Sequence, residues 1–232
     1  MVVPLSACPT SRDGFYAIYN QFLASGPKGF SEFKMLENED MFVRIDLPGV
    51  PKDGVKAFLS ESKRAVCVVA EAPKEHKHDH SHRKYVTVTG LVCKCCQVSG
   101  FISHMCDGVL RLLLLSKTKI TPPRYPALTG RVLKPHPYVV QGSEMAYESK
   151  QLQNGSLYVR VDMPGVPRDK FTVSVENGRV KVTGEAPTVS HDSGGRFYSG
   201  DVAMLSGVAS IPIRKIKTIA KNGVIRLIIP PV

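Results

Sequence analysis

Four histidines alternate along one short stretch, His76-x-His78-x-His80-x-His82, and Cys93, Cys95, Cys96 and Cys106 follow it. Imidazole and thiolate are zinc and copper ligands, and alternation on an extended backbone sends such side chains to one side. The spacing argues against a built site, because Cys-x-Cys-Cys lacks the two-residue spacer of common zinc knuckles. A charged loop from Lys74 to Lys84, leading into a strand whose cysteines are small apolar fillers, accounts for the same residues. Neither a resident metal nor a cofactor is expected. Serine and histidine are present without the elbow or glycine framing that holds a nucleophile against a base, and no glycine loop ending in Lys-Ser/Thr cradles a phosphate. The chain reads as non-enzymatic.

The elements that would position these side chains are clearest further along. Asn154-Gly155 is a turn pair tolerant of positive φ. Leu157, Val159 and Val161 then alternate with Tyr158, Arg160 and Asp162, the two-residue period of a half-buried strand. Pro164, Gly165 and Pro167 stop it. The same pattern stands earlier, from Met41 through Arg44, Asp46 and Pro48-Gly49-Val50-Pro51 to Asp53, at an offset of 162 − 46 = 116 residues. Gly26 and Gly142, Lys34 and Lys150, and Asn38 and Asn154 keep that offset. A chain of 232 residues that repeats itself at half its length is two copies of one domain. Arg44, Asp46, Arg160 and Asp162 fall on the strand faces opposite the apolar positions, which predicts surface or intra-sheet pairs of ~1 kcal/mol or less.

Residues 1–25 read as an arm whose Phe15, Tyr16, Ile18, Tyr19, Phe22 and Leu23 have a spacing compatible with a short amphipathic helix. The arm either packs across its own first domain or, as an exposed aromatic patch, meets a partner through Phe15, Tyr16, Tyr19 and Phe22. Copy one runs over 26–117, with alternation at Val55, Ala57 and Leu59, a strand at Tyr85–Thr89, and Asp107-Gly108 turning into Val109–Leu114. Residues 118–141 carry Pro122-Pro123, Pro126, Pro135 and Pro137 and form a semi-extended linker. Copy two runs over 142–232, with Phe171, Val173 and Val175, a turn at Asn177-Gly178, and Asn222-Gly223 leading into Val224–Ile229. Short strands with regular turn signals and almost no helical period predict an all-β fold of two tandem sandwiches.

Composition is that of ordinary globular protein, with 43% hydrophobic and 22% charged residues. The net charge of +11 is scattered without a run of five cations, so a solvated basic surface is expected rather than a sequence-specific nucleic-acid site. All six cysteines lie in the first half, unlike a disulfide-stapled repeat, and no signal-like start or apolar run of ~18 residues appears. A location inside the cell, nucleus or cytoplasm, away from membranes, is expected.

The order of strand, "D-[LM]-P-G-V", "E-N-G-R-V", "G-E-A-P" and a final "N-G-V-I-R-L-I-I-P" resembles the α-crystallin domain of plant small heat-shock proteins, over most of copy two and about two-thirds of copy one. The resemblance implies immunoglobulin-like β-sandwiches that hold unfolding clients without ATP, usually as dimers that build larger oligomers. This chain departs from the pattern in several places. Ile211-Pro212-Ile213 stands where the family has an "F-R-L-P" strand, Ser210 takes the place of its arginine, and copy one lacks the Leu-Pro element. The sequence ends at Val232, directly after the last strand pattern, so the family's Ile-x-Ile tail is not expected. The tandem arrangement is similar to a divergent plant group, some of whose members are non-catalytic subunits of nuclear complexes that oppose silencing and promote DNA demethylation. Ile211 and Ile213 read either as core residues of copy two or as a strand-edge clip for a neighbour. Two functions follow for the exposed sheet edges, stable docking of protein partners as a scaffold and ATP-independent holding of unfolding clients, with a dimer compatible with both.

Overall fold

The structure, a computed structural model, describes residues 20–90, 97–116, 136–205 and 211–231. The first repeat forms β1 (Leu23–Ser25), β2 (Ser31–Met35), β3 (Met41–Asp46), β4 (Val55–Leu59), β5 (Ala65–Ala72), β6 (Arg83–Gly90), β7 (Val98–Cys106) and β8 (Val109–Ser116). The second forms β9 (Val139–Gln141), β10 (Tyr147–Gln151), β11 (Leu157–Asp162), β12 (Phe171–Glu176), β13 (Arg179–Ala186), β14 (Arg196–Met204), β15 (Lys217–Lys221) and β16 (Val224–Ile229). Among the described residues there is no α-helix, only a 3-10 turn at Ile213–Lys215. The all-β expectation holds.

The strands make four antiparallel sheets, ordered β2-β3-β8-β7, β4-β5-β6-β9, β10-β11-β16-β15 and β1-β14-β13-β12. Val43, Ile45, Leu110, Leu112 and Leu114 of the first sheet face Val66, Val68, Ala70 and Tyr85 of the second across one apolar core. Val159, Val161, Ile225 and Leu227 face Val180, Val182 and Tyr198 across another. Three of the turn pairs read from the sequence adopt the doubly left-handed conformation of tight hairpins, with φ of 47° and 71° at Asp107-Gly108, 48° and 74° at Asn177-Gly178 and 52° and 67° at Asn222-Gly223, whereas at Asn154-Gly155 only the glycine is left-handed.

The two halves exchange their leading strands. β1 pairs with β14 of the second half, and β9 pairs with β6 of the first. Val139 therefore belongs to the first core and Phe22 to the second. The segment around Leu23 packs across the second half rather than across its own, and it is extended rather than helical, because its backbone completes the sheet edge at Tyr198 and Phe197. Strand Leu23–Ser25 lies within the stretch read as an arm, and Val139–Gln141 within the stretch read as a linker. Residues 118–135 of that linker, and Phe15, Tyr16, Ile18 and Tyr19 of the arm, lie outside the described residues.

Phe22 fits because Gly200 faces it, a position where a Cβ would lie 2.5 and 2.8 Å from two of its ring carbons. Phe22→Ala is expected to cost about 3–5 kcal/mol of stability, as other buried Phe truncations do. The loss is read from urea unfolding, with β14 amides exchanging faster once β1 loosens.

Candidate functional site

Arg44 and Asp46 on β3, and Arg160 and Asp162 on β11, point away from their own cores, as the two-residue period requires. They are nevertheless buried, with exposures of 1%, 2%, 6% and 4%. The intra-sheet pairing expected of them is present, Arg160 with Asp162 at 2.6 Å and Arg44 with Asp46 at 3.7 Å, but the expected surface exposure is corrected, because the opposite half of the chain covers these strand faces.

Arg83 on β6 reaches Asp162 of the other half at 2.6 Å, and Arg196 on β14 reaches Asp46 at 2.5 Å. The second nitrogen of each guanidinium donates to a backbone carbonyl, Arg83 to Met145 at 2.6 Å and Arg196 to Gly29 at 2.9 Å. Beside them Tyr85 donates to the Pro48 carbonyl and Tyr198 to that of Pro164. The proline-glycine loops then meet the hairpin tips of the opposite half. Gly49 N–H donates to the Asn222 carbonyl and Gly165 N–H to that of Asp107, both at 2.8 Å. Every one of these contacts has a counterpart under exchange of the halves.

The loops before β6 and β14 complete the seam. Asp192 accepts two hydrogen bonds from Arg111 on β8, at 2.9 and 2.7 Å, with Arg44 3.7 Å away. Asp79 likewise accepts from Arg226 Nε on β16 at 2.9 Å and from the Tyr158 hydroxyl. Burial pushes both carboxyls up, yet the hydrogen bonds and charges of their partners outweigh it and hold each below the usual carboxylate range. For Arg83 and Arg196 burial favours loss of the proton, but the facing Asp162 and Asp46 prevail and raise both.

The histidine stretch serves this seam. His76 stacks on Tyr158 with ring centroids 5.3 Å apart, and the His80 N–H donates to Glu148 of the other half at 2.9 Å. Among the described residues no three His, Cys, Asp or Glu side chains form a group able to hold a metal ion. Cys93, Cys95 and Cys96 lie outside the described residues.

His136 sits on the seam too, its ring 4.1 Å from that of Phe30 and flanked by Tyr85 and Tyr138. Its Nδ1 accepts from Tyr138 N–H, so the Nε2–H donates to the Asp46 carbonyl at 2.8 Å. Burial, reinforced by the Arg83 charge and opposed by that carbonyl bond and by Asp162, lowers its pKa to about 3. Asn20 holds the matching place, donating to the Asp162 carbonyl at 2.7 Å.

Of the residues read from the sequence as partner-facing, Phe15, Tyr16 and Tyr19 lie outside the described residues. Phe22 is 3% exposed and packs beside Tyr147, so the surface it meets is the chain's own second core. Ile211 is buried in that core at 5%, whereas Ile213 is 52% exposed. The 3-10 turn that begins at Ile213 breaks the strand period that would have buried both. Sequence reasoning missed Arg83, Tyr85, Asp79 and their counterparts. A signal was present, since Arg-x-Tyr recurs at Arg83 and Arg196 and His-Asp at His78 and His191, both at an offset of 196 − 83 = 113.

The four sheets are bordered by β2 and β7, β4 and β9, β10 and β15, and β1 and β12, each hydrogen-bonded to one neighbouring strand.

Fold and seam together define a tandem, all-β protein in which two related units pair within one chain. A family model described as "Predicted plant small heat shock protein" matches residues 2–124 and again 121–232. The chain belongs to that family. It is similar to a protein of Arabidopsis thaliana named "Putative 57 kDa heat shock protein", with 36% identity over 303 residues, covering 86% of this chain and 57% of the relative. It is also similar to the mitochondrial 23.6 kDa heat shock protein of the same plant, with 27% identity over 94 residues, 38% of this chain and 43% of that one. A mitochondrial 22 kDa heat shock protein of Pisum sativum is 24% identical over 102 residues, 43% of this chain and 49% of that one. The chain spans about half the length of these curated relatives.

Arg196→Met takes the hydrogen-bonded partner from the buried Asp46 carboxylate, leaving it only Arg44 at 3.7 Å, and is expected to cost about 3 kcal/mol, with part of the loss recovered in R196M/D46N, both read from denaturant unfolding. His136→Asn tests the pH dependence. A histidine held neutral in the folded state binds its proton only on unfolding, so stability falls as pH drops from about 6.5 towards 3. Between pH 6.5 and 4, H136N is expected to lose about 1.4 kcal/mol less per pH unit than the wild type.

Proposed function

We propose that the chain is a non-catalytic protein-interaction scaffold of the small heat-shock family. The observation that carries this reading is the reciprocal exchange of β1 and β9 across a buried ion-pair seam. The surfaces most suited to pairing two units are used up inside one chain, which leaves β4, β12 and the exposed Ile213 for partners. An extended partner segment adds to such an edge through backbone hydrogen bonds and gains specificity from alternate side-chain pockets. Placement in a nuclear chromatin-regulating assembly that opposes silencing and promotes DNA demethylation rests on the resemblance of the tandem arrangement alone. Direct sequence-specific binding of nucleic acid forms no part of the reading.

A second reading, ATP-independent holding of unfolding clients, is favoured by large apolar side chains on open edge strands, notably Phe58 on β4 and Ile102 on β7, 52% and 59% exposed. The names of the heat-shock relatives agree with it.

Affinity purification from plant tissue at ambient and raised temperature separates the two. The scaffold is expected to return one stoichiometric partner set at both temperatures and to leave heat aggregation of a model client unchanged at substoichiometric ratios. A heat-dependent population of many clients, with aggregation suppressed, replaces the scaffold reading with the holdase.

A further inference from the structure

The symmetry of the halves supplies a control for the two ends of the seam. At one end the loop before β6 lays His76 over Tyr158, and at the other the loop before β14 sets His191 against Phe42. Both loops are tied alike. Asp79 N–H donates to the His76 carbonyl and Asp192 N–H to that of Val189, each at 3.0 Å, and each aspartate carboxylate accepts the returning N–H. The side chains on this shared frame differ. Lys74, His76 and Lys77 stand where the other loop has Pro187, Val189 and Ser190, at an offset of 190 − 77 = 113 residues. Beneath them a cross-strand row reads Lys150, Tyr158, Ile228 and Lys217, and its counterpart reads Lys34, Phe42, Leu113 and Ile102. Lys34 is tied to the His191 carbonyl at 3.3 Å. Lys74, Lys77, Lys150 and Lys217 are all exposed, and no carboxylate among the described residues pairs with them. The acidic groups at this end are committed elsewhere, Glu75 to Lys221, Glu148 to Arg160 and Asp79 to Arg226.

We infer that this end of the seam binds a compact polyphosphate, an anion with several closely spaced phosphate groups, at the basic cluster around the His76 and His78 rings. The rings lie 5.1 Å apart. His76 Nδ1 accepts the His78 N–H at 3.3 Å, so Nε2 carries the ring hydrogen and is a donor for an incoming oxygen. Partial burial and then the charges of Lys77, Lys150 and Lys74 hold the His78 pKa below its ordinary value, which puts those ammonium groups within electrostatic reach of the ring. The Tyr158 hydroxyl, which Phe42 lacks, occupies one oxygen of Asp79. Arg226, 3% exposed, therefore keeps Nε on that carboxylate and leaves Nη1 without a hydrogen-bond partner, whereas Arg111 gives two nitrogens to Asp192. Like charges gathered this closely repel, and the other end shows that the frame does not need them. Charge type selects the ligand. Lysine ammoniums are point charges suited to phosphate, whereas a carboxylate-bearing peptide is best held by an arginine fork, and that of Arg226 faces Asp79. Extent sets its size. Strands spaced about 4.8 Å apart put Lys150 and Lys217 only ~14 Å from each other, in a row that ends at the sheet borders β10 and β15. Lysines converging on one spot from a loop and two strands fit a small group of phosphates, where a nucleic-acid backbone calls for cations along a track.

Isothermal titration of the full chain with inorganic tripolyphosphate, at neutral pH and about 0.15 M salt so that distant charges are screened, is expected to show one site with a dissociation constant on the order of micromolar. Giving this end the residues of the other, Lys77→Ser with Lys217→Ile, removes two charge-assisted contacts and is expected to weaken binding roughly 30-fold or more. Lys56→Ser with Lys170→Ser removes the same charge from exposed positions elsewhere and is expected to leave the affinity within about twofold. Vesicles of phosphatidylcholine containing phosphatidylinositol bisphosphate distinguish the sources of the phosphates. Co-sedimentation that K77S/K217I abolishes makes the ligand a lipid headgroup, and tripolyphosphate binding without co-sedimentation makes it a soluble anion. The absence of saturable binding to tripolyphosphate overturns the inference. Equal weakening in the two double variants does so too, since it reduces the cluster to diffuse surface charge. A single-stranded oligonucleotide that displaces tripolyphosphate and is itself lost in K77S/K217I hands the site to nucleic acid instead.

Discussion

Two buried ion pairs, Arg83 with Asp162 and Arg196 with Asp46, decide how the chain can be arranged. A carboxylate taken out of water needs an opposite charge at hydrogen-bonding distance, and each of these finds a partner on the other half. Each half also carries the strand that the other lacks at its sheet edge. Such pairs are weak evidence for added stability, since well-packed apolar groups do as well. What they supply is register. Any sliding of one half on the other leaves Arg83 and Arg196 without their carboxylates and breaks the Asp79 and Asp192 clusters beside them, while Asp162 and Asp46 keep only the arginines of their own strands.

Much of this fold was legible in the primary structure. Leu157, Val159 and Val161 alternate because one side of their strand is apolar core, and Asn222-Gly223 turns because both residues tolerate left-handed backbone. Where the reading failed, the reason is physical. A period of two says which side chains share a face but not what covers it, so Arg44 and Asp46 looked solvated. Leu23–Ser25 is too short to show a period, and its pairing with β14 is set by residues far away in the chain. The histidine loop drew attention by count, while its anchor is the single carboxylate of Asp79. The partner role of Phe15, Tyr16 and Tyr19 rests on sequence alone.

The two halves show how one backbone can be dressed differently. Inward positions of β5 and β13 are aliphatic or small in both, because the cores demand it. Outward positions are free of that demand, and there Cys67 and Val69 give way to Lys181 and Thr183. The seam shows a milder version, with His136 and Asn20 making the same carbonyl contact through different groups, only one of which carries a titratable ring.

The exchange of leading strands also bears on how the chain is made. Leu23 pairs with Tyr198, so β1 waits for 198 − 23 = 175 further residues before its neighbour exists. At ordinary ribosomal speeds that wait is roughly 10–35 s. Through it the Phe22 side chain has no core to enter, and the Asp46 carboxylate has no Arg196. A nascent chain of this design closes its first sheet edge as soon as β9 emerges, whereas its leading strand stays unpaired until the second half is nearly complete.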